Sequence, residues 1–309
     1  VKDKKSARRG GACRSTAFTL VELLVVLGII AILVALLIPA LTVVRKMAKE
    51  TQQKAQLTTI EMGLMAFKSD DENGYGDYPP SHGYDSSGNV DYYYCGAQTL
   101  AEALVGWDLM GFHPKSAWRA DGKDKGNGDT AYTGATTGTP AEREANLKAR
   151  KGPYLELATA NAFKLGDLFT NTSSFNPNTF VICDVFGVKP VTIGGKIVKA
   201  GAPILYYRAN TSSKTIDYSK PPTELIYNRQ DNSYFVYSVK EVEDKARYPG
   251  HPLPMNPLYS TAFFYDYITD PKVTTVKWPS KPESYLLISA GADGLYGTRD
   301  DICNFDPNS

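Results

Sequence analysis

The stretch AFTLVELLVVLGIIAILVALLIPAL, residues 17–41, decides how the rest of this chain is read. From Phe18 to Val44 its only charge is Glu22, and Leu23–Ile38 is unbroken apolar sequence. At ~1.5 Å per residue, a helix of that run spans a hydrocarbon layer of about 30 Å. Two residues do not suit a plain anchor. A carboxylate in hydrocarbon costs a few kcal/mol or more, and proline in a helix interior costs about 3 kcal/mol, yet Glu22 and Pro39 are both there. A secretory signal peptide would have a shorter apolar core followed by a small-residue cleavage site, and none follows here.

Ahead of the run the chain is basic. Residues 1–17 hold Lys2, Lys4, Lys5, Arg8, Arg9 and Arg14 against Asp3, a net +5, which leaves −4 for the rest of a chain whose total is +1. The basic end reads as the cytoplasmic side of a membrane segment. A faintly acidic body with no basic stripe argues against nucleic-acid binding.

Behind the run, RKMAKETQQKAQLTTIEMGLMAFK (residues 45–68) is rich in helix formers, with Leu57, Ile60, Leu64 and Phe67 spaced to form one apolar face. SDDENGYGDYPP (69–80) then supplies the stop. The pattern predicts one helix of about fifty residues, roughly 75 Å long, apolar all round in its first half and one-faced in its second.

The remainder reads as one loop-rich soluble domain. GAQTLAEALVGWDLMGF (96–112) holds a short helix near Leu100 and Leu104. TPAEREANLKARKG (139–152) is a helix capped by Thr139 and Glu142, with Pro140 in its first turn and Gly152 as its stop. FVICDVFG (180–187), PVTIGGKIV (190–198), PILYYR (203–208), SYFVYSV (233–239) and SYLLIS (284–289) have strand composition. Gly194-Gly195 is a two-residue hairpin signal. DGKDKGNGD (121–129) and TGATTGTP (133–140) read as solvated loops, since Lys123 and Lys125 sit among Asp121, Asp124 and Asp129. Cys95, Cys183 and Cys303 leave open one disulfide or three separate thiols, and Cys13 lies in the basic segment.

The residues at the N-terminus carry a resemblance. A short basic leader, FTLVE, an apolar helix, Glu22 as fifth residue counted from Phe18 and Pro39 as twenty-second resemble the precursor signal of type IV pilins and type II secretion major pseudopilins. The resemblance implies an α+β, pilin-like fold. Its long N-terminal helix, transmembrane in the first half, packs on an antiparallel β-sheet beneath an enlarged globular domain. The expected division is a cleaved leader 1–17, a helix 18–72 whose half 18–44 spans the membrane and polymerises, and a globular domain 73–309. A prepilin peptidase would cut between Ala17 and Phe18 and methylate the new amine; the family has Gly where this chain has Ala17. The subunit would sit singly in the inner membrane with its domain in the periplasm. It would then join a homopolymer through its N-terminal helices, served by an inner-membrane assembly platform and minor pseudopilins, in support of protein secretion. Glu22 would pair with the Phe18 ammonium, since paired charges survive low dielectric better than single ones. Pro39 would let the helix bend or locally melt.

ISAGADGLYGTRDDICNF (288–305) resembles the calcium-binding C-terminal loop of the secretion pseudopilins. Calcium takes several oxygens from carboxylates and carbonyls. The resemblance implies Asp293 and Asp301 as first ligands, then Asp300, within a loop spanning 289–304, with backbone carbonyls such as those of Ser289 or Gly291 adding to them.

His82, His113 and His251 are isolated in sequence and read as surface or turn residues. There is no nucleophile elbow and no phosphate loop, so an enzyme has the least support. Tyr92-Tyr93-Tyr94 and Tyr206-Tyr207 read first as strand-core rings. Two competing readings are an anchored binding protein whose tyrosine-rich domain takes a carbohydrate or protein, and an adhesive or competence pilin.

Overall fold

The computed structural model describes residues 19–124, 131–132, 138–169, 172, 174–187, 189–239 and 257–307. Cys13, Ala17, Phe18, Lys125, Asp129, His251 and most of 133–140 lie outside them. Contacts divide the chain at Ala48/Lys49. Helix α1 runs Leu20–Ser69 and includes Pro39.

In the second unit, the buried residues of α1 are Gln53, Gln56, Leu57, Ile60, Gly63, Leu64 and Phe67, the face that the spacing predicts. Leu57, Ile60 and Leu64 enter a core with Leu100, Leu104, Ile182, Ile204, Tyr206 and Leu287. Each such aliphatic side chain contributes about 1.5–3 kcal/mol by leaving water. Gly63 permits the close approach, because a Cβ there would sit 3.1 Å from both the Leu104 side chain and the Tyr154 carbonyl. Polar ties fix the register. Gln56 Nε2 donates to the Cys183 carbonyl at 2.9 Å, the Val185 N–H donates to Gln53 Oε1 at 2.9 Å, and Lys49 Nζ donates to the Phe186 carbonyl at 2.5 Å.

The sheet that receives this face is small and antiparallel, in the order β7 (Leu205–Arg208), β8 (Tyr285–Ser289), β9 (Ile302–Cys303). Every residue of β8 is buried, so YLLIS is a continuous apolar run with no alternation. The described residues also form three two-stranded ribbons: β1 (His82–Tyr84) with β2 (Val90–Cys95), β3 (Ala162–Lys164) with β4 (Phe180–Ile182), and β5 (Lys189–Ile193) with β6 (Lys196–Ala200). The β5–β6 turn is Gly194-Gly195 with φ +56° and +78°, a conformation glycine adopts without strain. Helix α2 (Gly96–Val105) is buried throughout. The architecture is α+β, with a long apolar N-terminal helix, an antiparallel sheet and a loop-rich body.

Two expectations change, and of the two cysteine alternatives one is found. SYFVYSV forms no strand: α4 (Gln230–Tyr234) runs into a turn of π-helix at Phe235–Val239. The cause is polar and tertiary, since buried Asn232 accepts from the Ala97 N–H at 3.0 Å and donates to the Tyr206 carbonyl at 2.8 Å; such anchors override β-propensity. Helix α3 (Pro140–Lys148) has the Thr139–Glu142 capping box but stops at Lys148, ahead of Gly152. Cys95, Cys183 and Cys303 are separate thiols.

Candidate functional site

At the N-terminus the sequence Thr-Leu-Val-Glu is itself a capping box. The Thr19 N–H and hydroxyl donate to Glu22 Oε2 at 2.9 and 2.8 Å, and the Glu22 N–H donates to Thr19 Oγ1 at 3.2 Å. The helix therefore starts where Thr19 satisfies its first orphan N–H groups. The residue sequence reasoning missed is Thr19, although Ser/Thr-x-x-Glu before an apolar run is a legible start signal. Helical assignment continues unbroken through Pro39, whose ring removes the donor that the Ala35 carbonyl would otherwise meet. The Thr42 hydroxyl donates to the Pro39 carbonyl at 2.7 Å.

Every side chain from Thr19 to Lys49 is exposed within the chain. The helix is long and apolar enough to cross a membrane. A large bare apolar surface is untenable in water and marks contact with lipid or another apolar partner.

At the other end, the segment after β8 folds back on its own carboxylates. Gly291, at φ +64°, could not carry a Cβ, which would fall 2.2 Å from the Asp300 carbonyl oxygen. Asp300 Oδ2 accepts from the Ala292 and Asp293 N–H groups at 2.7 and 2.9 Å, and its Oδ1 accepts from the Thr298 hydroxyl at 2.7 Å. Asp293 Oδ1 accepts from the Leu295 N–H at 2.7 Å. Asp301 Oδ2 accepts from the Gly297 N–H at 2.7 Å and the Tyr267 hydroxyl at 2.6 Å.

Asp293 and Asp300 thus come together, while Asp301 turns to Tyr267. Partial burial and the neighbouring Asp300 push the Asp293 carboxyl up. Against the cost of its own partial burial, Asp300 is held down by Thr298 and the backbone N–H groups. Burial pushes Asp301 up to about 7. Among the described residues no three His, Cys, Asp or Glu side chains converge as a metal cage. Two neighbouring carboxylates resist ionising together, so the Asp293 carboxyl rises while that of Asp300 falls; the Asp301 side chain is already engaged.

The histidines divide. His113 is buried rather than at the surface; burial and the nearby Arg150 lower its pKa to about 4, and its Nδ1 accepts from the Lys115 N–H at 3.1 Å. His82 Nδ1 lies 3.2 Å from Asp231 Oδ1, and the Ser81 hydroxyl donates to the other oxygen of the same carboxylate. Serine, histidine and aspartate meet here, but serine and histidine each bond to the acid, and the serine-to-histidine link of a nucleophilic triad is not among the hydrogen bonds of the described residues. Tyr94, Tyr206 and Tyr207 are core rings, whereas Tyr93 is exposed and Tyr92 half-buried. Asp121 is bound by Arg119 at 3.0 and 2.6 Å and belongs to a surface ion pair.

Residues 13–38 match the family described as the prokaryotic N-terminal methylation motif. No curated protein and no solved structure matches the chain. The chain thus carries a prepilin-type methylation motif on a helix of membrane-spanning length, in agreement with a pilin-like precursor.

Proposed function

We propose that this protein is a pilin-like structural subunit that polymerises into a type II secretion pseudopilus or a type IV pilus-like filament and so supports protein secretion. The observation that carries the reading is the methylation motif placed on a helix whose apolar side chains are all bare from Leu20 to Met47. A prepilin peptidase cuts between Ala17 and Phe18 and methylates the Phe18 amine. The helix 18–44 first holds the subunit singly in the inner membrane, with the globular domain in the periplasm, and then packs among its copies in the filament. Glu22, free to exchange its bond with Thr19, pairs with the Phe18 ammonium of its own or a neighbouring chain. Pro39 gives the helix a weak point at which to adjust. The assembly platform and minor subunits of such machines are the implied partners. Calcium, held first by Asp293 and Asp300 with Asp301 behind them, would neutralise the facing carboxylates and staple the C-terminal loop.

The mass of the N-terminal peptide recovered from membranes tests the reading. A chain beginning at methylated Phe18 is expected. A chain that still carries its basic residues 2–14 would leave Glu22 without its amine, and the filament reading would be lost.

A further inference from the structure

One face of the globular unit carries a row of partly exposed aromatic rings. Tyr84, His82, Tyr92, Tyr234 and Tyr93 form a continuous row. Successive ring centres lie 5.6 Å apart for Tyr84 and His82, 6.1 Å for His82 and Tyr92, 6.3 Å for Tyr92 and Tyr234, and 5.3 Å for Tyr234 and Tyr93. Tyr93 and Tyr234 are 37% and 43% exposed, and the other three are half-buried. At its Tyr84 end the row opens into a groove of about 510 Å³, lined by Tyr75, Tyr84 and Trp118 together with Asp85, Arg119 and Asp124.

The groove is built before any ligand arrives. Trp118 forms its floor, stacked on Phe112 at 5.2 Å and meeting Tyr75 edge-on at 5.4 Å. Its backbone has φ +54°, a left-handed conformation that costs a bulky residue free energy and gathers at binding sites. Two bonds hold it there: the Tyr84 N–H donates to the Trp118 carbonyl at 2.9 Å, and the Trp118 N–H donates to Ser116 Oγ at 3.0 Å. The opposite wall is a turn closed by Asp85, whose Oδ1 accepts from the Ser87 and Asn89 N–H groups at 2.7 and 2.9 Å. A fixed wall and floor lower the ordering cost of binding.

The polar groups select the ligand class. Asp124 lines the groove as a half-buried carboxylate whose Oδ1 is closed off from solvent and has no hydrogen-bond partner among the described residues. The Arg119 guanidinium is already neutralised by Asp121, so the lining presents Asp85 and Asp124 with no net positive charge to oppose them. Phosphate backbones and uronic-acid chains meet repulsion in such a groove. An uncharged pyranose does not: its C–H face lies flat on phenol rings while its hydroxyls donate to carboxylates. Several rings in a row suit several successive sugar units.

We propose that this groove and the tyrosine row bind an uncharged oligosaccharide. The Tyr84, Tyr92 and Tyr234 rings supply the stacking surface, and the carboxylates of Asp85 and Asp124 that line the groove accept sugar hydroxyls. The site belongs to the globular unit, so it stands or falls separately from filament assembly.

The test is isothermal titration of the full chain, solubilised in a polyoxyethylene detergent that has no sugar headgroup. Cellohexaose, maltohexaose, mannohexaose and, as anionic comparison, an oligogalacturonate are titrated in turn. Saturable binding of at least one neutral hexasaccharide and none of the oligogalacturonate is expected. Tyr84→Ala and Tyr234→Ala should each weaken it roughly tenfold, about 1.4 kcal/mol. Tyr218→Ala, which removes an exposed ring that stacks on Tyr265 rather than on a ring of the row, should leave it unchanged. Tyr234 is exposed enough that its removal hollows no core, so a folding failure of Tyr84→Ala does not blunt the test. Absence of binding by all three neutral sugars at millimolar concentration, tighter binding of the oligogalacturonate, or equal losses in Tyr218→Ala and Tyr234→Ala would overturn the proposal.

Discussion

Glu22 and Thr19 hold each other: one carboxylate oxygen takes both the Thr19 N–H and its hydroxyl, and the Glu22 N–H returns to Thr19 Oγ1. The acid that is costly in a membrane is therefore also the cap of its helix. The two roles separate by substitution. Glu22→Gln keeps an acceptor for Thr19 and loses the charge, whereas Glu22→Ala loses both. If the charge pairs with the Phe18 amine, Glu22→Gln should insert into membranes at the normal level and be missing from sheared or pelleted filaments. Glu22→Ala should fail likewise. Normal incorporation of Glu22→Gln would reduce the acid to a capping residue, a contribution of about 1 kcal/mol.

The second half of α1 is tied down by amides as well as by apolar contact. Gln53 is fully buried, and its Oε1 is the partner of the Val185 N–H. Gln53→Leu leaves that half-buried N–H without its partner but also removes the unpaired Gln53 Nε2, a net loss of about 1 kcal/mol, while Gln53→Glu retains an acceptor at the price of a buried charge. Both should lower the midpoint of denaturant unfolding. A substitution such as Met62→Gln, on the exposed side of the same helix, should change it little. If Gln53→Leu unfolds at the normal midpoint, apolar burial by Leu57, Ile60 and Leu64 holds the helix unaided.

What could be read in advance was local. Thr139 and Glu142 lie three residues apart and cap their helix as the spacing says, Gly194-Gly195 turns its hairpin, and the 57/60/64/67 face is the buried one. What could not be read depended on partners far along the chain. Phe235 and Val236 have strand composition, but Asn232 beside them reaches Ala97 and Tyr206, and the helix wins. Glu102 sits in an unremarkable AEALV helix, and only the fold brings Tyr94, Ser116 and Tyr132 to it. Asp293 and Asp300 could be named from sequence, yet their meeting depends on Gly291 letting the loop close.

Glu102 gives the fold a pH dependence. Burial pushes its carboxyl up, against the downward pull of three hydroxyl donors and Arg150. A carboxyl raised in the folded state binds more protons there than in the unfolded chain, so stability is greatest below the ordinary Glu value of about 4.3 and declines as pH climbs toward the folded pKa. Glu102→Gln preserves hydrogen-bonding capacity and should flatten that part of a plot of melting midpoint against pH. An identical slope in the variant would move the dependence to Asp231, which burial raises in the same direction.

The Asp293–Asp300 pair predicts opposite effects in two buffers. With chelator present, Asp293→Asn removes a carboxyl that its neighbour and partial burial disfavour, so the melting midpoint should hold or rise. With calcium present the wild-type chain should gain stability in proportion to binding by the folded state only, and the variant should gain much less. Thr298 and the backbone N–H groups of Ala292 and Asp293 already orient Asp300, so Asp300→Asn should lose the calcium increment and also loosen the loop in chelator. Asp301 bonds to Tyr267 and Gly297 instead, and Asp301→Asn should retain the larger part of the increment. Melting curves of the three variants, with calcium and with chelator, decide the matter. An undiminished calcium increment in Asp293→Asn would leave the loop closed by its own hydrogen bonds, with no ion required.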